Sequence, residues 1–211
     1  MKIGIIDYGM GNLFSVEQAI KRLGYEVLVS TDKEELQATD TLILPGVGAF
    51  QDAMKRLQET NLVSLINESE KSNKPLLGIC LGMQLLFQES AENGGGKGLG
   101  IFTGEIERFD GRANRVPHMG WNELQFARYP EWLQENEMTG DRFVYFVHSY
   151  FATNMNQADL VAFAHYGDKQ VPAIVQKGSI TGMQFHPEKS SEFGVLLLKQ
   201  WLDGVKKGVV V

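Results

Sequence analysis

Residues 75–86 read PLLGICLGMQLL, and the fold is decided there. A short apolar run, PLLGI, passes through Cys80 and becomes LGMQLLFQ, whose apolar residues recur at helical spacing. A strand that feeds a helix directly is the repeating unit of an α/β sheet. Toward the N-terminus the same alternation continues. KIGII (2–6) precedes Leu13, Val16, Ile20 and Leu23 at helical spacing, YEVLV (25–29) and TLIL (41–44) follow, and residues 50–71 are amphipathic. Toward the C-terminus, beyond the loop NGGGKGLG (93–100), the runs IFTGEIERF, WNELQF, RFVYFVHSYF, DLVAFAHY, VPAIVQK and SITGMQF read as strands. Consecutive strands of this kind pair antiparallel. The expected architecture is therefore α/β: a mixed, mostly parallel sheet flanked by helices. A last helix is expected from Ser191 to Val205, with Val195, Leu198 and Leu202 on one face, and the tail KKGVVV is expected to fray.

The composition narrows the function classes. With 43% hydrophobic and 22% charged residues, the 211-residue chain reads as one globular domain spanning 1–211. Only four apolar residues precede Asp7, and no run approaches the roughly 18 needed to span a bilayer, so the expected location is the cytoplasm and no membrane partner is expected. A single cysteine cannot close an intrachain disulfide. A net charge of -6 with dispersed basic residues argues against nucleic acid, which leaves small molecules or proteins as partners.

Two glycine-rich stretches fail as phosphate sites. In DYGMGN the third glycine of a dinucleotide fingerprint is replaced by Phe14, and in GGGKG the lysine is followed by Gly98 instead of Ser or Thr. His118, His148, His165 and His186 have no metal-ligand spacing, so neither metal nor cofactor is expected.

Chemistry is concentrated at GICLG. A nucleophile on a sharp strand-to-helix turn has a strained backbone and close neighbours, which favours glycine two residues before and after it. Gly78 and Gly82 occupy those positions around Cys80. The elbow aims the thiol at the carboxyl edge of the sheet and puts it at a helix N-terminus, whose field favours thiolate. The next residue, Leu81, offers its backbone N–H to a developing oxyanion. A base comes from ITGMQFHPEKS: on an extended chain His186 and Glu188 project to the same side, and Pro187 stiffens the segment between them. Glu188 can then hold the tautomer of His186 and stabilise its imidazolium.

GICLGMQ together with FHPE resembles the class I, triad-type glutamine amidotransferases, and LPGVGAF (44–50) is similar to that family's oxyanion strand. The resemblance spans most of the chain. It implies hydrolysis of glutamine to glutamate and ammonia, with Cys80 as nucleophile, His186 as acid and base, and Glu188 as its orienter. It further implies an oxyanion site formed by Leu81 and by Val47, the latter in a PGVG turn that its glycines allow to rotate. Gly46, Gln84, Glu92, Ser149 and Tyr150 are implied contacts to glutamine, Glu92 suiting the α-ammonium. DYGMGN, PHMGWN (117–122), YFVHSY (145–150) and HPEKS are similar, in that order, to family members that form a heterodimer with a (β/α)8-barrel cyclase subunit. That likeness implies a docking surface at His118 and Trp121, and Tyr145 and Lys189 near the ammonia exit. The triad alone leaves open a glutaminase serving another synthase, a cysteine peptidase on the same elbow, and a noncatalytic module that retains the fold.

Overall fold

The computed structural model describes residues 1–210. Its first half builds four parallel strands, β1 (Lys2–Ile6), β2 (Glu26–Ser30), β3 (Thr41–Leu44) and β4 (Leu76–Ile79), which lie in the order β2-β1-β3-β4. They are linked by α1 (Leu13–Arg22), α2 (Lys33–Gln37), α3 (Phe50–Glu59) and α4 (Leu62–Lys71), and β4 leads into α5 (Leu81–Leu85). The second half adds β5 (Phe87–Ser90), β6 (Gly96–Lys97), β7 (Phe102–Arg108), β8 (His118–Glu123), β9 (Gln125–Phe126), β10 (Phe143–His148) and β11 (Tyr150–Thr153). It closes with β12 (Leu160–Tyr166), β13 (Lys169–Lys177), β14 (Ile180–Met183) and α6 (Ser191–Lys207).

The eight-stranded main sheet runs β2-β1-β3-β4-β14-β13-β12-β9. Its pairs are parallel as far as β4 with β14 and antiparallel beyond, so the sheet is mixed. Both faces are buried, which follows from the alternation within each strand. Ile43, Leu77 and Ile79 face a core built with Val16 and Ile20 of α1 and Leu198 and Trp201 of α6. Leu42, Leu44 and Leu76 face the opposite core, with Leu57 of α3 and Leu65 of α4. Two smaller sheets, β8 with β10 and β11-β7-β5-β6, stand beside the main one.

Because β1, β3, β4 and β14 are mutually parallel, the segments leaving them emerge at one edge: DYGMGN after Ile6, PGVG after Leu44, Cys80 after Ile79, and QFHPEKS after Met183. That carboxyl edge is where α/β sheets bind ligands.

Several boundaries differ from the sequence expectation. The amphipathic stretch 50–71 is two helices, broken at Asn61, whose left-handed φ of 58° suits an asparagine at a turn. The helix leaving Cys80 stops at Leu85, because Phe87–Ser90 is drawn into parallel pairing with β7, where Phe87 packs on Phe102. RFVYFVHSYF is not one strand: Ser149 separates β10 from β11, which belong to different sheets. The tail is docked as far as Val210. Gly208 turns the chain with a φ of 74°, Val209 N–H returns to Gly204 O at 3.0 Å, and Val210 is buried in the α6 core.

Candidate active site

Cys80 sits at the elbow with φ 55° and ψ −111°, a conformation that non-glycine residues rarely adopt. Its neighbours show why glycines flank it. A Cβ on Gly82 would run into the carbonyl oxygen of Leu44, and one on Gly78 would lie 2.8 Å from the backbone of Gly82. The Cys80 N–H donates to Met183 O at 2.8 Å, which ties the elbow to the end of β14. The side chain is buried among the core residues of one sheet face, yet it also lines a cleft of about 360 Å³ at the carboxyl edge. That is a volume suited to a small molecule.

His186 lines the same cleft. Its Nδ1 lies 2.8 Å from Glu188 Oε1, with both side chains almost wholly shielded from solvent. The route to this pair differs from the extended one read from the sequence. β14 ends at Met183, and Pro187–Lys189 form a short 3-10 turn that brings the Glu188 carboxylate back to the imidazole. Ser190 fixes the turn, accepting from Tyr145 N–H at 2.9 Å and donating to His186 O at 2.6 Å. Burial by itself pulls the His186 pKa down, but hydrogen bonds to Cys80 and Glu188, with the charges of both, overcome it and raise the value to about 10. The raised value favours the protonated ring, whose charge faces the Glu188 carboxylate.

The remaining cleft residues come from distant segments. Val47, Leu81, Gln84, Glu92, Ser149 and Tyr150 all line it, whereas Gly46 lies beneath. A Cβ on Gly46 would fall 2.7 Å from Tyr8 Oη and 2.8 Å from Gly82 N, so the PGVG turn presses directly on the elbow. Tyr8 donates to Pro45 O at 2.8 Å, and burial followed by the charge of Cys80 pushes its phenol pKa up, which keeps that donor protonated. Glu92 Oε2 accepts the N–H of Phe50 at 2.8 Å, so the carboxylate also secures the start of α3, directly after the turn. Leu81 opens α5, where the first N–H groups have no intrahelical acceptor.

The four residues expected at a partner surface separate. His118 is not on the surface: it is buried between the rings of Phe146 and Tyr166, with Nδ1 3.0 Å from His148 Nε2 and Nε2 2.7 Å from Asn122 Oδ1. The signal was available, because residues 118 and 121 are an odd number apart and face opposite sides of a strand. Trp121 lies on the outer side, 48% exposed, beside the half-buried Tyr145 at 5.8 Å between ring centroids. Lys189 stands exposed at the cleft rim. His148, in turn, donates from Nδ1 to Tyr150 O at 2.8 Å, and burial with the nearby His118 drives its pKa down to about 3.

Sequence reasoning missed Tyr8, His148 and Gln184, whose Nε2 lies 3.9 Å from Cys80 Sγ, as neighbours of the site. Among the described residues no group of three or more His, Cys, Asp or Glu side chains is arranged to hold a metal ion, and no helix is long and apolar enough to cross a membrane.

Comparison with known proteins bears on this arrangement. The family described as Glutamine amidotransferase class-I matches residues 4–203. The chain is 50% identical to the imidazole glycerol phosphate synthase subunit HisH of Geobacillus sp. (strain WCH70), over 94% of this chain and 95% of that one. It is 52% identical to the subunit of the same name from Shouchella clausii (strain KSM-K16), over 94% and 96%. Among solved structures, PurLQS from Thermotoga maritima superposes with a TM-score of 0.74 at 18% identity, covering 96% of this chain and 97% of that one. That last likeness is one of fold.

Proposed function

The chain belongs to the class I glutamine amidotransferase family, and from that premise we propose that it is the glutaminase subunit of an imidazole glycerol phosphate synthase. The observation that carries the chemistry is the buried His186–Glu188 pair at 2.8 Å, with His186 and Cys80 lining the same cleft. The synthase assignment is supported by the roughly 50% identity to HisH subunits over nearly the whole of both chains.

In this reading the Cys80 thiolate attacks the side-chain carboxamide carbon of glutamine. The carbonyl oxygen becomes an oxyanion that the Leu81 N–H and a Val47 amide of the PGVG turn stabilise. As the C–N bond breaks, His186 gives its proton to the leaving nitrogen, and ammonia departs from a thioester on Cys80. The neutral imidazole then takes a proton from water, whose oxygen attacks the thioester, and glutamate leaves as the thiolate returns. Glu188 holds Nδ1–H throughout, so that Nε2 does the proton transfer. Glu92 and the carbonyl oxygen of Gln84 suit the α-ammonium of the substrate, and the backbone at Ser149 and Tyr150 its far end.

Ammonia protonated by bulk water cannot attack, so it has to pass to its acceptor through a shielded route. The partner in this reading is a (β/α)8-barrel cyclase that joins the nitrogen to a phosphoribulosyl formimino ribonucleotide. It yields imidazole glycerol phosphate and an aminoimidazole carboxamide ribotide, in histidine biosynthesis. Support for a docking face comes from the exposed Met119 and Trp121, which share one side of β8 and are of residue types enriched at interfaces. Tyr145 packs beside Trp121, and Lys189 lines the cleft.

The test is glutamine turnover by the chain alone, with the barrel, and with barrel plus acceptor nucleotide. If docking rotates the PGVG peptide to supply the second oxyanion donor, the complex gains on the order of a hundredfold. Equal rates in all three refute this control, and no glutamine turnover in any of them refutes the function.

A further inference from the structure

Behind the nucleophile runs a relay of two buried side-chain amides that neither the triad nor the oxyanion site uses. Gln84 Nε2 donates to Tyr150 O at 2.9 Å and to Gln184 Oε1 at 3.0 Å, and Gln184 Nε2 faces Cys80 Sγ at 3.9 Å. Gln184 is fully buried, and its backbone is pinned by an N–H donated to Ala173 O at 2.9 Å.

The direction of the relay follows from its far end. The Tyr150 carbonyl can only accept, so Gln84 must present its NH2 group there. The second hydrogen of that group goes to Gln184 Oε1, which leaves the Gln184 NH2 on the side of the sulfur. A buried amide N–H without an acceptor costs about 1–3 kcal/mol, so a sulfur acceptor at this point is not incidental. Sulfur is a large, soft acceptor, and its contacts are longer than those to oxygen.

We propose that Gln184 is a further catalytic residue: its N–H holds and aims the Cys80 thiolate, while its carbonyl locks Gln84 against the substrate segment at Tyr150. The inference rests on Cys80 being the nucleophile. The donor acts when the sulfur carries full negative charge. As the carbon–sulfur bond forms and charge passes to the carboxamide oxygen, the contact weakens and the oxyanion donors take over. The other titratable groups around Cys80 are His186 from the loop after β14, Tyr8 from the loop after β1, and Glu92, His148, Tyr150 and Lys189, which line the same cleft.

Cys80 is the only cysteine, so the pH dependence of iodoacetamide alkylation of the whole chain reads its thiolate alone. Gln184→Glu keeps the acceptor for Gln84 but turns a negative oxygen toward the sulfur, and Gln184→Met removes both contacts at nearly constant volume. The alkylation midpoint should rise by about one pH unit or more in Gln184→Glu and by a smaller step in Gln184→Met. With both changes kcat should fall more than KM changes. In the parent chain, the Gln184 side-chain amide resonance should shift with pH at the same midpoint as alkylation, a readout that needs no variant to fold. Unmoved midpoints in folded variants, a fall in kcat without a midpoint shift, or an amide resonance indifferent to Cys80 titration would each overturn the proposal. If the parent Cys80 turns over no glutamine, the nucleophile reading fails instead.

Discussion

Glu188→Gln is the substitution that separates a working triad from a buried ion pair that merely stabilises the fold. The change keeps shape and an acceptor oxygen for His186 Nδ1–H but removes the charge. Both side chains are at most 5% exposed, so solvent screens little of the loss. Among the described residues Glu188 Oε2 has no protein partner, which leaves His186 as the principal recipient of that charge. A hydrogen bond to a charged group contributes about 2–3 kcal/mol and a neutral one about 1 kcal/mol, so the imidazolium loses about 1–2 kcal/mol. At 1.36 kcal/mol per unit this is about one pKa unit. The amide can also rotate its NH2 toward Nδ1 and favour the wrong tautomer, and the two effects together should lower kcat by on the order of a hundred- to a thousandfold. The sign with pH follows from the raised pKa of His186. Stabilisation from its protonated form is fully present below 6.5 and is lost as pH rises toward about 10. The alkaline limb of the rate profile should accordingly move to lower pH in the variant. Steady-state glutamine hydrolysis by the assembled complex across pH 6–11, with circular dichroism to verify folding, is the assay. A parent-like rate with an unmoved alkaline limb would show that Glu188 does not act on the chemistry.

Three further changes probe how the site is built. Gly82→Ala forces a Cβ onto the Leu44 carbonyl and should destabilise the chain by about 3 kcal/mol or prevent folding, read as the denaturant midpoint. A midpoint equal to the parent's would contradict the close approach. Tyr8→Phe leaves the buried Pro45 carbonyl without its donor and should lower stability by about 1–3 kcal/mol while slowing turnover through a looser PGVG turn; unchanged stability and rate would remove Tyr8 from the account. Trp121→Ala should weaken binding of the barrel by about 2 kcal/mol, roughly thirtyfold by calorimetry, and leave the fold intact. Undiminished affinity would place the docking face elsewhere.

Much of this molecule is legible in its sequence, and what is not has a common cause. Strands such as TLIL and PLLGI declare themselves because both faces of the sheet are buried, and the elbow declares itself because only glycine tolerates the contacts at positions 78 and 82. The sequence pattern carries the helix after Cys80 too far because LLFQES has enough apolar residues for either state, and pairing with β7 decides in favour of a strand. His118 lies inside because Phe146 and Tyr166, from strands far along the chain, close over it. Tyr8 and Gln184 gave no local signal at all. Each acts through a partner that is remote in sequence, Pro45 for one and Gln84 with Cys80 for the other. Even the His186–Glu188 pair, expected on an extended segment, depends on a 3-10 turn that Pro187 starts.

In the proposed reading Cys80 supplies ammonia to a separate synthase site, and its loss separates the two halves of the reaction. Cys80→Ala is assembled with the cyclase barrel, and imidazole glycerol phosphate formation is measured with glutamine and, separately, with an ammonium salt at alkaline pH. The account predicts no product from glutamine and a parent-like rate from ammonium, because only the nitrogen source has been removed. Glutamine-dependent synthesis that survives in Cys80→Ala would contradict it.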